Sequence, residues 1–112
     1  MNILLDECLP KDLAGKLAGH AVKTVPQAGW ASISNGKLLG LIAASGEFEV
    51  FLTMDKNLPH QNKTRVFPFA IVVLRAKSNR LEHVFPFAPE LLRRLPEFQP
   101  GQVYVLATAD LP

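Results

Sequence analysis

Ala70-Ile71-Val72-Val73-Leu74 is an uninterrupted apolar run, β-branched through its middle, with Phe67-Pro68-Phe69 before it and Arg75-Ala76-Lys77 after it. A short run that never alternates with polar residues suits a strand covered on both faces, the position of a central strand in a parallel sheet. Upstream, Glu49 to Met54 reads as a second strand of this kind, and residues 55–68 as a polar loop or short helix. Before that, Ser34 can cap a helix running to about Ser45, with Gly46 as its stop. Its residues Leu38, Leu39, Leu41, Ile42, Ala43 and Ala44 are apolar nearly all round, so this helix is expected to be well buried.

The same pattern extends to both ends of the chain. Asn2 to Leu5 reads as the first strand and Ala21 to Val25 as the next. Between them Pro10 suits the first turn of a helix, Leu9, Leu13 and Leu17 form one apolar face, and Gly19 ends it. Downstream, Ser78 caps a helical stretch that Pro86 and Pro89 break, a helix follows from Pro89 to Leu95, and Gln102 to Ala107 is the last strand. The order β-α-β-α-β-loop-β-α-β predicts an α/β domain over residues 1–112, with a mostly parallel sheet of about five strands and helices on both faces. Val66-Phe67-Pro68-Phe69-Ala70 recurs as Val84-Phe85-Pro86-Phe87-Ala88. One recurrence is no solenoid, and it reads as aromatic anchoring around turns.

Composition narrows the class. The 112 residues are 48% hydrophobic, enough for a packed core without staples. A single cysteine, Cys8, excludes an intramolecular disulfide and a cysteine-based zinc cluster. No apolar stretch approaches the roughly 20 residues of a membrane helix. The early acids Asp6 and Glu7 do not suit a signal peptide, so the expectation is a soluble cytoplasmic domain without a membrane partner. The net charge of +2 conceals an asymmetry: residues 1–62 hold five Lys against six acids, whereas residues 63–112 hold seven basic residues against four acids. All five arginines, Arg65, Arg75, Arg80, Arg93 and Arg94, lie in the second part.

Ligands of open α/β sheets bind outside the carboxyl ends of the strands, so the strand ends are where chemistry is sought. The first strand ends in Asp6-Glu7, the third in Asp55-Lys56-Asn57, and the strongest in Arg75-Ala76-Lys77-Ser78-Asn79-Arg80. If the first and third strands are neighbours, carboxylates meet at one edge beside a basic segment. Clustered carboxylates ionise cheaply only with a cation, and hard oxygen ligands select Mg²⁺ or Mn²⁺. Such a cation polarises a phosphoryl oxygen, and arginines or lysines hold phosphate. Other residues read as structural: Cys8 as a buried or incidental thiol, His20 as a helix-end cap, His60 and His83 as loop and helix-end histidines, Trp30 as a core or packing residue, and Arg93, Arg94 and Lys37 as solvated helix faces.

The stretches Ile3-Leu4-Leu5-Asp6-Glu7-Cys8-Leu9-Pro10, Ala28-Gly29-Trp30-Ala31 with Ser34-Asn35-Gly36 and Leu38-Leu39, Val50-Phe51-Leu52-Thr53-Met54-Asp55-Lys56-Asn57-Leu58-Pro59, and Arg75-Ala76-Lys77-Ser78-Asn79-Arg80-Leu81 resemble, in order, the segments of small bacterial PIN-like proteins. The resemblance implies a reduced PIN-like domain related to the VapC-type toxins of bacterial toxin–antitoxin pairs, metal-dependent nucleases that cleave RNA. It implies Asp6 and Asp55 as catalytic, Mg²⁺- or Mn²⁺-binding carboxylates, with Glu7, Asn57 and Asn35 as accessory groups. Arg75, Lys77, Ser78 and Arg80 are the expected substrate-binding residues. A small helix-turn-helix type antitoxin and a homodimer are the implied partners. The chain departs from the PIN pattern between residues 31 and 46, which contain no acid and carry Lys37 where relatives often have Glu.

Two other readings follow from the same residues. One is a PIN-like binding module that is catalytically weak or inactive. The other is a phospho-receiver-like signalling domain, which shares the acid pair after the first strand and an Asp after the third, but requires a Lys at the end of the last strand. Here that strand ends Leu106-Ala107-Thr108-Ala109-Asp110.

Overall fold

The computed structural model of the chain describes residues 1–58 and 66–111. His60 and Arg65 lie outside the described residues. Five strands, β1 (Asn2–Leu5), β2 (Ala21–Thr24), β3 (Val50–Thr53), β4 (Ala70–Arg75) and β5 (Val103–Ala107), form one sheet in the order β2-β1-β3-β4-β5. Every pairing is parallel. The α/β class and the five-stranded parallel sheet expected from the pattern are therefore present, and β1 and β3 are neighbours.

Among the described residues three α-helices accompany the strands: α1 (Asn35–Ser45), α2 (Leu81–Val84) and α3 (Phe87–Arg94). Strand side chains alternate between the two faces of the sheet, and the core divides accordingly. Ile3, Leu5, Val50, Leu52, Ala70, Val72, Leu74 and Leu106 face one layer with Leu13, Leu17, Val84, Phe87 and Leu91. Leu4, Phe51, Ile71 and Val73 face the other, with Leu38, Leu39 and Ile42 of α1. Helical structure covers both faces. The repeated Phe-Pro-Phe motif anchors both layers, since Phe69 is buried in the α1 layer and Phe87 in the opposite one.

The central strands β3 and β4 are buried along their length, apart from Arg75 at the end of β4. The edges differ. β2 alternates between exposed and half-buried residues and carries Lys23, paired to Glu47 at 2.9 Å. β5 is uncharged, and Val105 on its α1 face is 50% exposed.

Three expectations are corrected. The stretch after Pro10 is a 3-10 helix over Lys11–Lys16, not an α-helix. Leu9, Leu13 and Leu17 are all buried as their spacing suggested, but so short a segment with Gly15 inside it has little intrinsic α-helix preference. Helix α1 is buried on one side only: Leu38, Leu39 and Ile42 are enclosed while Ala44 is exposed, because the helix lies on the outside of its layer. Ser34 occupies the position before α1 without a side-chain capping bond, and Gly46 closes the helix with φ 62°, in the left-handed region that favours glycine. The last helix begins at Phe87 rather than Pro89, with Pro89 in its first turn, where its missing N–H costs nothing.

Candidate functional site

In the order β2-β1-β3-β4-β5 the connections reverse direction between β1 and β3, so the crevice at their carboxyl ends is the topological switch point. Asp6 follows β1 directly, and its backbone N–H donates to the Leu52 carbonyl of β3 at 2.9 Å. That bond extends the sheet pairing one residue beyond β1 and fixes the backbone from which the carboxylate projects. The carboxylate is largely buried, with Asp6 8% exposed. Its Oδ1 accepts the Glu7 N–H at 2.8 Å, and its Oδ2 accepts the Thr53 hydroxyl at 2.6 Å and the Cys8 thiol at 3.6 Å.

Thr53, fully buried at the end of β3, joins the two acidic strand ends. Its Oγ1 donates to Asp6 and accepts the backbone N–H of Asp55 at 3.0 Å. Asp55 is half-buried. Its Oδ1 accepts the Asn57 N–H at 3.0 Å, and its Oδ2 accepts the side-chain amide of Asn35. Asn35 is the first residue of α1, so the start of that helix is tied to the residue after β3.

Glu7 is exposed, and its Oε1 accepts the Ser32 N–H at 2.8 Å. Ser32 holds φ 61°, a left-handed conformation that is strained for a serine. Glu7 therefore anchors the loop that delivers α1, and through it the position of Asn35.

The thiol of Cys8 also accepts the Met54 N–H at 3.3 Å. Burial, and then the adjacent Asp6 carboxylate, push the Cys8 thiol above its ordinary range, so it remains a protonated donor. Cys8 is thus a half-buried thiol within the network around Asp6.

Among the described residues, the hydrogen-bond donors to the two carboxylates named above are neutral. Among the described residues the ion pairs are Lys23–Glu47, Arg80–Glu82 and Glu90–Arg93, and none involves Asp6 or Asp55. Two carboxylates oriented by neutral donors, with lone-pair capacity left on Asp6 Oδ1 and on both Asp55 oxygens, fit a hard divalent cation. Mg²⁺ in particular is commonly held by one or two carboxylates together with water and phosphate oxygens. Asp6 and Asp55 are the side chains that would hold it. Among the described residues, no group of three or more His, Cys, Asp or Glu side chains is arranged to hold a metal by itself.

The basic segment after β4 is divided. Arg75 is exposed and lines a cleft of about 200 Å³ with Lys56, Asn57, Val73 and Val105. Lys77 lines a separate cleft with Glu82, His83 and Thr108. The Ser78 hydroxyl is engaged with His83 Nδ1 at 2.6 Å and accepts the Arg80 N–H at 3.1 Å, so Ser78 and His83 shape the turn into α2. Arg80 pairs with Glu82 at 3.0 Å, both well exposed. On the other side of the carboxylates, a cleft of about 400 Å³ is lined by Asp6, Glu7, Leu9, Lys11, Thr24, Pro26 and Gln27. Trp30 packs edge-on against Phe48 with ring centroids 6.1 Å apart, as a packing residue does.

Sequence reasoning did not assign Thr53 and Lys56. The signal for Thr53 was its place two residues before Asp55 at a strand end, where a hydroxyl reaches the next backbone N–H. No protein-family model, curated protein or solved structure matches this chain.

Proposed function

We propose that the chain is a metal-dependent endoribonuclease with a PIN-like site, acting in the cytoplasm as the toxin of a toxin–antitoxin pair whose antitoxin is a small helix-turn-helix type protein. The observation that carries the nuclease reading is the Thr53 hydroxyl, which ties the Asp6 carboxylate to the backbone of Asp55 at the switch point. This arrangement places two acids at one crevice and orients them without neutralising them.

When bound, a Mg²⁺ or Mn²⁺ ion supplies charge stabilisation at phosphoryl oxygens and a more acidic water. The protein's part is positional. Thr53 and the Glu7 N–H hold Asp6, Asn35 and the Asn57 N–H hold Asp55, and Glu7 holds the loop before Asn35. Preorganised groups of this kind need no reorientation during the reaction. Arg75, exposed at the end of β4, is placed to hold the backbone of an RNA strand beside the carboxylates. Support for the remainder is the sequence resemblance, which also carries the homodimer. Among the described residues, no helix is long and apolar enough to cross a membrane.

Incubation with total RNA and Mn²⁺ tests the reading. The wild-type chain is expected to cut RNA, and Asp6→Asn and Asp55→Asn to leave it intact while remaining folded by circular dichroism. Equal cleavage by all three proteins overturns it.

A second reading has its own observation. The lack, among the described residues, of a third metal-capable side chain grouped with Asp6 and Asp55 favours a PIN-like module that binds RNA without cutting it. Intact RNA after long incubation, together with no thermal stabilisation by Mn²⁺, selects that reading. The receiver reading shares the strand order, but β5 ends at Ala107 and leads into a 3-10 turn over Thr108–Asp110, with no lysine there.

A further inference from the structure

We propose that the cleft at the carboxyl ends of β3, β4 and β5 is a nucleotide subsite. In it Lys56 and Arg75 hold a backbone phosphate of single-stranded RNA beside the cleavage centre, and the exposed side of Val105, packed beside buried Val73, carries the attached nucleoside. The proposal rests on the ribonuclease reading and deepens it by naming where the strand lies.

Lys56 and Arg75 are both exposed and line the same cleft, and neither is among the ion pairs of the described residues. Lys77 is also exposed and outside those ion pairs, but it lines a separate cleft, so the sharing of one cleft by two cations is what sets Lys56 and Arg75 apart. Two cations facing one small cavity repel each other unless an anion joins them. A phosphodiester fits, because a guanidinium pairs with two phosphate oxygens and an ammonium acts as a point charge beside it.

Position ties the cleft to the carboxylates. Asn57 lines it, and the backbone N–H of Asn57 is bonded to Asp55 Oδ1 at 3.0 Å. The cavity therefore starts where Asp55 ends. Arg75 stands on β4, one strand over from β3, a spacing of about 4.8 Å in any sheet. A ligand in the cleft is a direct neighbour of the switch point.

The wall supplies the second half of the chemistry. Val73 and Val105 are paired across β4 and β5 in register, so their side chains project from the same face. The buried core on the α1 face includes Val73 but no residue of β5, which leaves Val105 half exposed. An apolar wall beside two cations matches a nucleotide, which has an anionic end and a flat, weakly polar end. Among the described residues no aromatic ring lines the cleft, so their contact with a base is by packing alone, which tolerates any base. A cavity of about 200 Å³ suits one unit of a chain rather than a duplex.

The test is an NMR titration of the ¹⁵N-labelled chain in EDTA, with a short single-stranded RNA, the matching duplex, inorganic phosphate and an acidic peptide as separate ligands. Single-stranded RNA is expected to shift the amides of Lys56, Asn57, Arg75 and Val105. Lys56→Ala and Arg75→Ala, both at exposed positions, are each expected to weaken binding severalfold. Each should also reduce the slope of log affinity against log salt by about 0.7. Unmoved cleft amides, unchanged affinity in the double variant, or equal binding of duplex or acidic peptide overturns the subsite.

Cleavage assays separate this failure from failure of the nuclease reading. Cleavage that needs Asp6 and Asp55 but has the same KM in Lys56→Ala and Arg75→Ala removes the subsite and keeps the nuclease. RNA binding in the cleft without cleavage under Mg²⁺ or Mn²⁺ keeps the subsite and removes the nuclease.

Discussion

The carboxylates after β1 and β3 and the cations after β4 occupy one edge of the sheet, and the fold treats them in opposite ways. Asp6 is buried and receives the Thr53 hydroxyl, the Glu7 N–H and the Cys8 thiol. Asp55 receives the Asn57 N–H and the Asn35 amide. Arg75 and Lys77 are exposed, and of this segment only Arg80 is in an ion pair, with Glu82. A cation site needs its oxygens at fixed positions, whereas a long flexible cation follows a phosphate wherever the strand presents it. Fixed acids and mobile bases are what a cleavage centre flanked by a backbone track requires.

Substitutions in the two regions should therefore behave differently. The largest effect is expected for Thr53→Val, which removes the hydroxyl shared by both strand ends. It leaves the Asp55 N–H without its side-chain acceptor and Asp6 Oδ2 with the long Cys8 thiol contact alone. A loss of about 1–3 kcal/mol in unfolding free energy follows, read from the urea midpoint. RNA cleavage should fall by about 10–100-fold, the range for removing a group that orients a metal ligand. A Thr53→Val chain as stable and active as wild type would erase the contrast. Asn35→Ala comes next: Asp55 is only half-buried and keeps the Asn57 N–H, so its orientation loosens without emptying a core position. Its cleavage rate should drop while the urea midpoint moves by less than in Thr53→Val.

Lys77→Ala is expected to leave stability unchanged and to alter RNA binding less than Arg75→Ala does, since Lys77 lines a different cleft. Equal effects on RNA affinity would show that the two cations act together after all. The smallest effect is expected for Arg80→Ala. Its pair with Glu82 is solvent-exposed, so the unfolding free energy should change by about 0.5 kcal/mol or less. The Cys8 thiol offers a chemical probe of the fixed half. Its raised pKa keeps thiolate scarce in the native chain, so iodoacetamide at pH 8 should label native Cys8 more slowly than Cys8 in urea.

The strands were legible because their signal is local. The run Ala70 to Leu74 and the block around Phe51 contain their own evidence, and the acids at their ends are read directly. Thr53 was not legible in its role, because that role depends on β1 lying beside β3 in a register that places Leu5 against Leu52. No spacing along the chain states that register. The basic segment was legible as a run, but its division between two clefts was not. Arg75 and Lys77 sit two apart and would share a face in a continuing strand, but β4 ends at Arg75 and the chain turns away. The 3-10 segment after Pro10 shows the same limit: Leu9, Leu13 and Leu17 announced that they would be buried, yet their spacing did not decide the kind of helix that buries them.

The central claim is that Asp6 and Asp55 form a cation site that cuts RNA. The most direct measurement is the rate of cleavage of a single-stranded RNA of defined sequence as Mn²⁺ is raised, for the wild-type chain and for Asp55→Asn. If Asp6 and Asp55 hold the cation, the wild-type rate rises with Mn²⁺ and saturates, and the variant rate is at least about 100-fold lower at every concentration. Matching curves for the two proteins, or a wild-type rate that does not respond to Mn²⁺ or Mg²⁺, would contradict it.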